Sequence, residues 1–335
     1  MNNTPVFIMP LKLDGSEMEL RFFRETIESI KNQTDTNWKL VIIEDYSNVK
    51  CVYDALDQLK EELKEKVHII YSDKNYGTGA ARNKGVAYAH EIGAPFILYN
   101  DADDISDPRR LELVRKAFED ETVNVVYTSF EVIDENGNVT PREYLSPTIA
   151  EIIEGNEIDP VEGENSWINI AIKKKYTNLT SCTAVRTALA YEEKFPEASI
   201  SEDCHTWLRY GAHPGKFILL KEIIGHYRIR SGTASRSRSI NPDFYAKMMK
   251  MDSSGFEAAL EVAKKIGTMG GYDEDYLRAG FHVRLALNLL HAGSKEYCKE
   301  SLKVSLEISK EKTLEFIDAL QCAQEEKEQL KQLID

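Results

Sequence analysis

Pro95-Phe96-Ile97-Leu98-Tyr99-Asn100-Asp101-Ala102-Asp103-Asp104 decides how the rest of the chain is read. A short apolar run, Pro95 to Tyr99, reads as a buried strand and ends directly in three carboxylates. Open α/β sheets bind ligands just beyond the carboxyl ends of their strands. Three acids crowded there repel one another unless a cation or a set of donors offsets their charge. Hard oxygen ligands in this arrangement suit Mg²⁺ or Mn²⁺, which in turn bind diphosphates. Taken alone, Asp-x-Asp has a plainer reading: a solvated loop, with Asp107 capping the next helix and Pro108 at its first position.

On either side of this stretch, short apolar runs alternate with helical periods. Strands are expected at Val6 to Met9 (stopped by Pro10), Trp38 to Glu44, Val67 to Tyr71 and Val123 to Ser129. Helices are expected at Glu17 to Asn32, Val52 to Lys64, Gly79 to His90 and Asp107 to Glu119. Strand-helix alternation of this kind implies a mainly parallel sheet with helices on both faces. Phe130 to Val139 suggests a hairpin around Asn136-Gly137, and Pro141 to Leu179 shows no period and reads as a variable, acceptor-side insertion. Ser199 to Tyr210 looks helical, and Lys216 to Ile229 holds two short strands. Beyond residue 241 the chain reads as helices: Pro242 to Ile266, Asp273 to His291, Lys295 to Ser309, and Glu311 onward. The expected division is an α/β domain over 1–240, in halves of about 1–130 and 131–240, then a helical region over 241–335.

Composition narrows the function classes. The 335 residues carry a formal net charge of -14, which argues against nucleic-acid binding and against adsorption to anionic lipid. Five scattered cysteines lack zinc-site spacing and read as reduced thiols, and the polar start Met1 to Pro5 lacks a signal-peptide core. No apolar run is long enough to span a bilayer, so a cytoplasmic protein is expected.

Four further features fall where they could join the acids. Glu44-Asp45 closes the second strand, where a carboxylate could accept from a nucleobase N–H or simply cap the next helix. Asn75 to Gly85 (NYGTGAARNKG) brings Gly77 and Gly79 ahead of a helix carrying Arg82 and Lys84, suited to a diphosphate or to a solvated turn. It is not the dinucleotide fingerprint, since the first strand ends in Pro10-Leu11-Lys12. Glu202-Asp203 starts a helix, as first-turn charge or as a base facing an acceptor nucleophile. His226 to Ser235 leads into a loop with Arg236 and Arg238; His226 reads as a metal ligand or an ordinary histidine, and the loop as a lid on a diphosphate or a solvated turn.

Together these pieces resemble family-2 glycosyltransferases with the GT-A fold, in order along roughly residues 4 to 235. The matching segments are VFIMP (6–10), IKNQT (30–34), VIIED (41–45), AARNKG (80–85), NDADD (100–104) and SED (201–203). The resemblance implies a Rossmann-like α/β sheet and a nucleotide-diphosphate sugar donor, expected to be UDP-linked. It implies a donor site around Pro10, Leu11, Asp45, Gly77, Arg82, Asn83, Asp101 and Ala102. It implies Mn²⁺ or Mg²⁺ at Asp103, Asp101 and His226, and Asp203 as the base of an inverting transfer to a carbohydrate or glycoconjugate hydroxyl. Tyr46 stands where a small residue often follows the acid pair, and Arg230 where many relatives have histidine. The C-terminal helices have no counterpart in the motif set; core packing is the simplest reading, a homodimer interface another. Two rival classes remain: a sugar-phosphate nucleotidyltransferase, for which Pro10 to Gly15 is a poor loop, and a non-catalytic scaffold, against which the intact acid set argues.

Overall fold

The structure, a computed structural model, describes residues 3–174, 178–198, 200–230 and 243–334. Ser231 to Ser235 and the expected basic loop at Arg236 and Arg238 lie outside them. Val6–Leu11 (β1), Lys39–Glu44 (β2), Val67–Tyr71 (β3), Phe96–Tyr99 (β4), Val123–Ile133 (β5), Thr183–Arg186 (β6) and Lys216–Arg228 (β7) form one sheet. Its order is β3-β2-β1-β4-β6-β5-β7. Every neighbouring pair is parallel except those of β6, which runs antiparallel to both β4 and β5. The alternation of the strands buries both faces. Val6, Ile8, Val41, Ile43, Ile97 and Tyr99 enter one apolar cluster, while Phe7, Met9, Leu40, Ile42, Phe96 and Leu98 enter the other. Such near-continuous apolar strands are what a helix-covered parallel sheet requires.

The first half carries Glu17–Lys31 (α1), Lys50–Leu63 (α2), Thr78–Glu91 (α3) and Arg110–Ala117 (α4). Gly85 lets α3 lie directly on the sheet: a Cβ there would stand 2.5 Å from Ile8 Cγ2 and 2.9 Å from Ile43 Cδ1. The second half adds Pro147–Ile158 (α5), the short Ser166–Ile168 (α6), Thr187–Glu192 (α7) and Glu202–Ala212 (α8). Among the described residues five helices follow: Phe244–Ile266 (α9), Glu274–His291 (α10), Lys295–Ile308 (α11), Lys310–Ala319 (α12) and Gln324–Gln332 (α13). The first of these packs on α8, where a Cβ on Gly255 would stand 2.7 Å from His205 Cα. Trp207 and Phe256 belong to the same buried cluster as Val6 and Ile8, so the core runs from the sheet into these helices.

Several local expectations are corrected. Pro10 does not stop β1; it pairs with Ile43, and Leu11 pairs with Glu44. Ile8 O accepts from Asn100 N on the β4 side, so Pro10, of the same parity, would point its missing N–H past the end of that pairing. The two strands expected at Lys216 to Ile229 are one, β7, whose register against β5 slips between Leu220 and Ile224 and bulges out three residues. Asp107 does not cap α4; its Oδ1 accepts from Arg109 N at 2.8 Å in a turn before the helix. The stretch read as without period contains α5, and the last helix breaks in two at Leu320; the expected hairpin does form, as a tight turn closed by the Ile133–Val139 bridge.

Candidate active site

β1, β2 and β4 end side by side, and the turns leaving them open a cleft of about 720 Å³. Pro10 and Leu11 form its floor beside Asp45 and Ser47, and Gly77, Thr78 and Ala81 bring in the N-terminus of α3. Asp101, Ala102 and Asp103 form the opposite wall, with Asp14, Glu19, Phe22 and Arg230 at the rim. Of the residues expected to hold donor or metal, Pro10, Leu11, Asp45, Gly77, Asp101, Ala102 and Asp103 therefore share one cavity.

The turn after β4 is held from behind. Asn100 Nδ2 donates to Asp101 O at 3.0 Å and to Asp104 O at 3.3 Å. Arg110, almost wholly buried, donates to Asn100 Oδ1, to Tyr99 O and to Thr183 O. Ser181 Oγ accepts from Asp101 N, Thr26 Oγ1 donates to Ala102 O, and Arg228 donates through N to Asp104 Oδ1 and through Nε to Asp103 O. Burial, then the neighbouring Asp101 charge, pushes the Asp103 carboxyl up to about 6. Burial and both neighbouring carboxylates push Asp104 well above the usual range. The turn is rigid and over-supplied with negative charge. The Asp101 and Asp103 carboxylates, half-buried on the cleft wall, offer hard oxygens that fit a divalent cation completed by a ligand's phosphate oxygens. The expected trio Asp101, Asp103 and His226 is not a preformed cage: among the described residues no three His, Cys, Asp or Glu groups come together to hold a metal. His226 lies outside the cleft lining, its main chain bridged to Ile105 and its Nδ1 buried without a partner.

Asp45 is engaged by the chain itself. Its carboxylate accepts from Tyr76 N at 3.0 Å and from Gly77 N at 2.7 Å, tying the loop before α3 to the end of β2. Gly77, with φ of +87°, is the N-cap of α3 and has no side chain to crowd a ligand. The positive end of the helix dipole thus faces the acid wall across the cleft.

Arg82, Asn83 and Asp203 do not line this cleft: Arg82 is buried, while Asn83 and Asp203 are half-buried. Arg82 donates to Asp101 at 2.9 Å and to Glu202 at 3.2 Å, with its guanidinium 5.3 Å from the Phe195 ring centroid. Asn83 exchanges hydrogen bonds with the Phe195 main chain, both at 2.9 Å, clipping that loop to α3. Asp203, in the first turn of α8, accepts from Cys204 N and lies within electrostatic reach of Arg82 and Asp101. Burial raises its carboxyl, against the Cys204 N–H and the Arg82 charge; burial and the Asp203 charge raise Glu202. Arg82 therefore joins the two acid groups, Asp101 on the β4 turn and Glu202-Asp203 on α8. The Tyr227 hydroxyl, raised mainly by burial, feels Asp104, Asp103, Asp101 and Asp203 together.

Sequence reasoning did not single out Arg110, Ser181, Phe22 or Glu19. Glu19 accepts from Arg230 Nη2 at 2.7 Å, and the Arg228 guanidinium lies 4.3 Å over the Phe22 ring, tying β7 to α1 across the rim. No local signal marks Glu19 or Phe22, whose partners Arg230 and Arg228 come from β7 and its end, nor Ser181, which answers to Asp101, 80 residues away.

Residues 18–180 match the family described as Glycosyl transferase family 2. A glycosyltransferase of Methanocaldococcus jannaschii, known as uncharacterized, is 28% identical over 211 residues, 62% of this chain and 66% of its own length. Among solved structures, S. aureus TarS 1–349 in complex with UDP-GlcNAc superposes with a TM-score of 0.58 at 20% identity, covering 98% of this chain and 83% of that one. The mannosyltransferase PcManGT of Pyrobaculum calidifontis, in complex with GDP-Man and Mn²⁺, gives 0.51 at 13% identity over 99% and 79%. The sheet and these superpositions define a GT-A fold. Over residues 18–180 the chain is similar to glycosyltransferase family 2. No described helix is long and apolar enough to cross a membrane.

Proposed function

We propose that this protein is an inverting glycosyltransferase that moves a sugar from a nucleotide-diphosphate donor, a UDP-sugar, to a hydroxyl of a carbohydrate or glycoconjugate acceptor. The observation that carries the reading is the single cleft at the ends of β1, β2 and β4, where Asp45, Asp101, Asp103 and the N-terminus of α3 meet. In this reading Pro10, Leu11 and Asp45 bound the nucleobase, and the backbone of Gly77 and Thr78 faces the diphosphate. Asp103, with Asp101 beside it, would hold Mn²⁺ or Mg²⁺; His226, outside the cleft, is given no part in it. When bound, that cation would neutralise charge on the leaving diphosphate.

Asp203 takes the proton from the acceptor hydroxyl, whose oxygen then bonds to the anomeric carbon as the bond to the diphosphate oxygen breaks on the far side. A raised carboxyl suits this task, since burial makes it a better base than a solvated aspartate. Arg82 stays in place as the tie between Asp101 and Glu202, so that donor and acceptor walls keep their spacing. The acid walls also favour the positive charge that develops on the sugar.

A general base contributes on the order of 10²–10⁴-fold. Asp203→Asn is therefore expected to slow UDP release from the best-hydrolysed sugar in a nucleotide-sugar panel by about that factor, leaving UDP affinity unchanged. Near-normal turnover would remove Asp203 from the role. Turnover of nucleoside triphosphate with a sugar phosphate would instead mark a nucleotidyltransferase, and no nucleotide binding at all a scaffold.

A further inference from the structure

The mouth of the cleft carries a carboxylate diverted from its ordinary duty. Ser16 caps α1, and Ser16-Glu17-Met18-Glu19 has the spacing of a capping box, in which the last residue returns its carboxylate to the N–H of the cap. Ser16 Oγ does accept from Glu19 N, at 3.3 Å, but Ser16 N donates to Asp14 Oδ1, at 2.7 Å, rather than to Glu19. The Glu19 carboxylate turns to the cleft instead. It accepts from Asp14 N through Oε2 and from Arg230 Nη2 through Oε1, both at 2.7 Å. Its side chain is only 6% exposed, whereas that of Arg230 is 31% exposed and lines the cleft. Arg228, by contrast, is sealed and spent on Asp103 O, Asp134 O and Glu25. Among the described residues that line the cleft, the cations are Lys12 and Arg230, against Asp14, Glu19, Asp45, Asp101 and Asp103. One more carboxylate in such a wall only adds repulsion for a phosphate, unless it serves the cation it holds.

We propose that Glu19 is a positioning residue of the donor site: it fixes the Arg230 guanidinium at the cleft mouth, so that a donor's diphosphate meets a cation already in place. This rests on the reading of the cleft as the donor site. A guanidinium is a flat fork that binds a carboxylate along one edge and phosphate oxygens along another. Held at one edge, it loses little rotamer freedom when the ligand arrives, and such preorganisation raises affinity. The ionised carboxylate suits the task because it offers two acceptor oxygens, one for Asp14 N and one for Arg230. An amide offers one, and its NH₂ would face a donor.

The test titrates UDP, with Mn²⁺ present, into the unaltered full chain, Glu19→Gln, Arg230→Gln and the two substitutions combined. Arg230→Gln is expected to weaken UDP binding about 10-fold and Glu19→Gln about 5-fold. The combined variant should be no weaker than Arg230→Gln alone, because Glu19 acts through Arg230. A merely structural Glu19 would weaken binding by the same factor in both backgrounds. That additive result overturns the proposal, as does UDP bound in Glu19→Gln as tightly as in the unaltered chain or more tightly. Side-chain nitrogen NMR of the unaltered chain, labelled at arginine, reads the same contact without a Glu19 variant. The Arg230 signal, identified by its absence from Arg230→Gln, should show slow guanidinium rotation before UDP is added and should shift when it is. A freely rotating or unshifted Arg230 overturns the proposal. If the unaltered chain binds no UDP, the donor-site reading falls and the role of Glu19 falls with it. UDP binding that Arg230→Gln leaves unchanged removes the role of Glu19 alone.

Discussion

Single residues in this site are held by partners that cannot be exchanged conservatively. Arg82, with a side chain only 4% exposed, lies between the carboxylates of Asp101 and Glu202. Removing one partner of a buried ionic group typically costs about 3–5 kcal/mol, because the remaining charges stay desolvated and unpaired. Arg82→Met is expected to lose stability of about that size in urea unfolding; a loss below about 1 kcal/mol would show that the pair is solvated. Asp252, one turn before Gly255 on α9, gives a prediction with a definite sign. Its folded-state carboxyl sits near 7, above the ordinary 3.8 of the unfolded chain, so the folded form holds the proton more tightly. Its contribution to stability is complete below about 4 and is lost as pH rises through about 7. The gap in melting temperature, Asp252→Asn minus wild type, should therefore widen in favour of the variant from pH 5.5 to pH 8. A gap that stays constant would mean that Asp252 does not titrate in this range.

At the scale of elements, close approach sets the site. The N-terminus of α3 reaches the cleft because Gly85 lets the helix body touch Ile8 and Ile43. Ala at position 85 gains about 1 kcal/mol of helix propensity but meets a Cβ contact of 2.5 Å, and overpacking of that kind costs about 1–3 kcal/mol. Gly85→Ala should thus be neutral to destabilising and Gly85→Val clearly destabilising, read as a fall in urea midpoint; a stabilised Gly85→Val would contradict the packing. The strands and helices of residues 6–117 were legible because their apolar runs and helical periods are long and local. β6 was not: Thr183-Ala184-Val185-Arg186 is too short for a period, and its place is set by β4 and β5. β7 read as two strands because its bulge breaks the alternation. Pro10 read as a stop because the sequence does not show on which side of β1 the neighbouring strand has already ended.

For the molecule as a whole, the motifs carried the acids but not their division of labour. Asp45, Asp101 and Asp103 do share a cavity, whereas Asp203 does not line it and stands next to Glu202, which Arg82 ties to Asp101. That arrangement depends on pairs such as Arg82–Glu202 and Arg228–Asp104, separated by 120 and 124 residues, which no local pattern encodes. The C-terminal helices, readable only as helices, share the buried cluster of the sheet and bring Asp252 to α8. The central claim is that the acid turn and the N-terminus of α3 bind a nucleoside diphosphate together with a divalent cation. Calorimetric titration of UDP, with and without Mn²⁺, into the unaltered chain and into Asp103→Ala tests it most directly. The account predicts binding that Mn²⁺ strengthens at least 10-fold in the unaltered chain and no such strengthening in Asp103→Ala, since one or two carboxylates and the phosphates hold the ion. UDP binding of equal strength with and without Mn²⁺, or a Mn²⁺ effect that survives in Asp103→Ala, would contradict it.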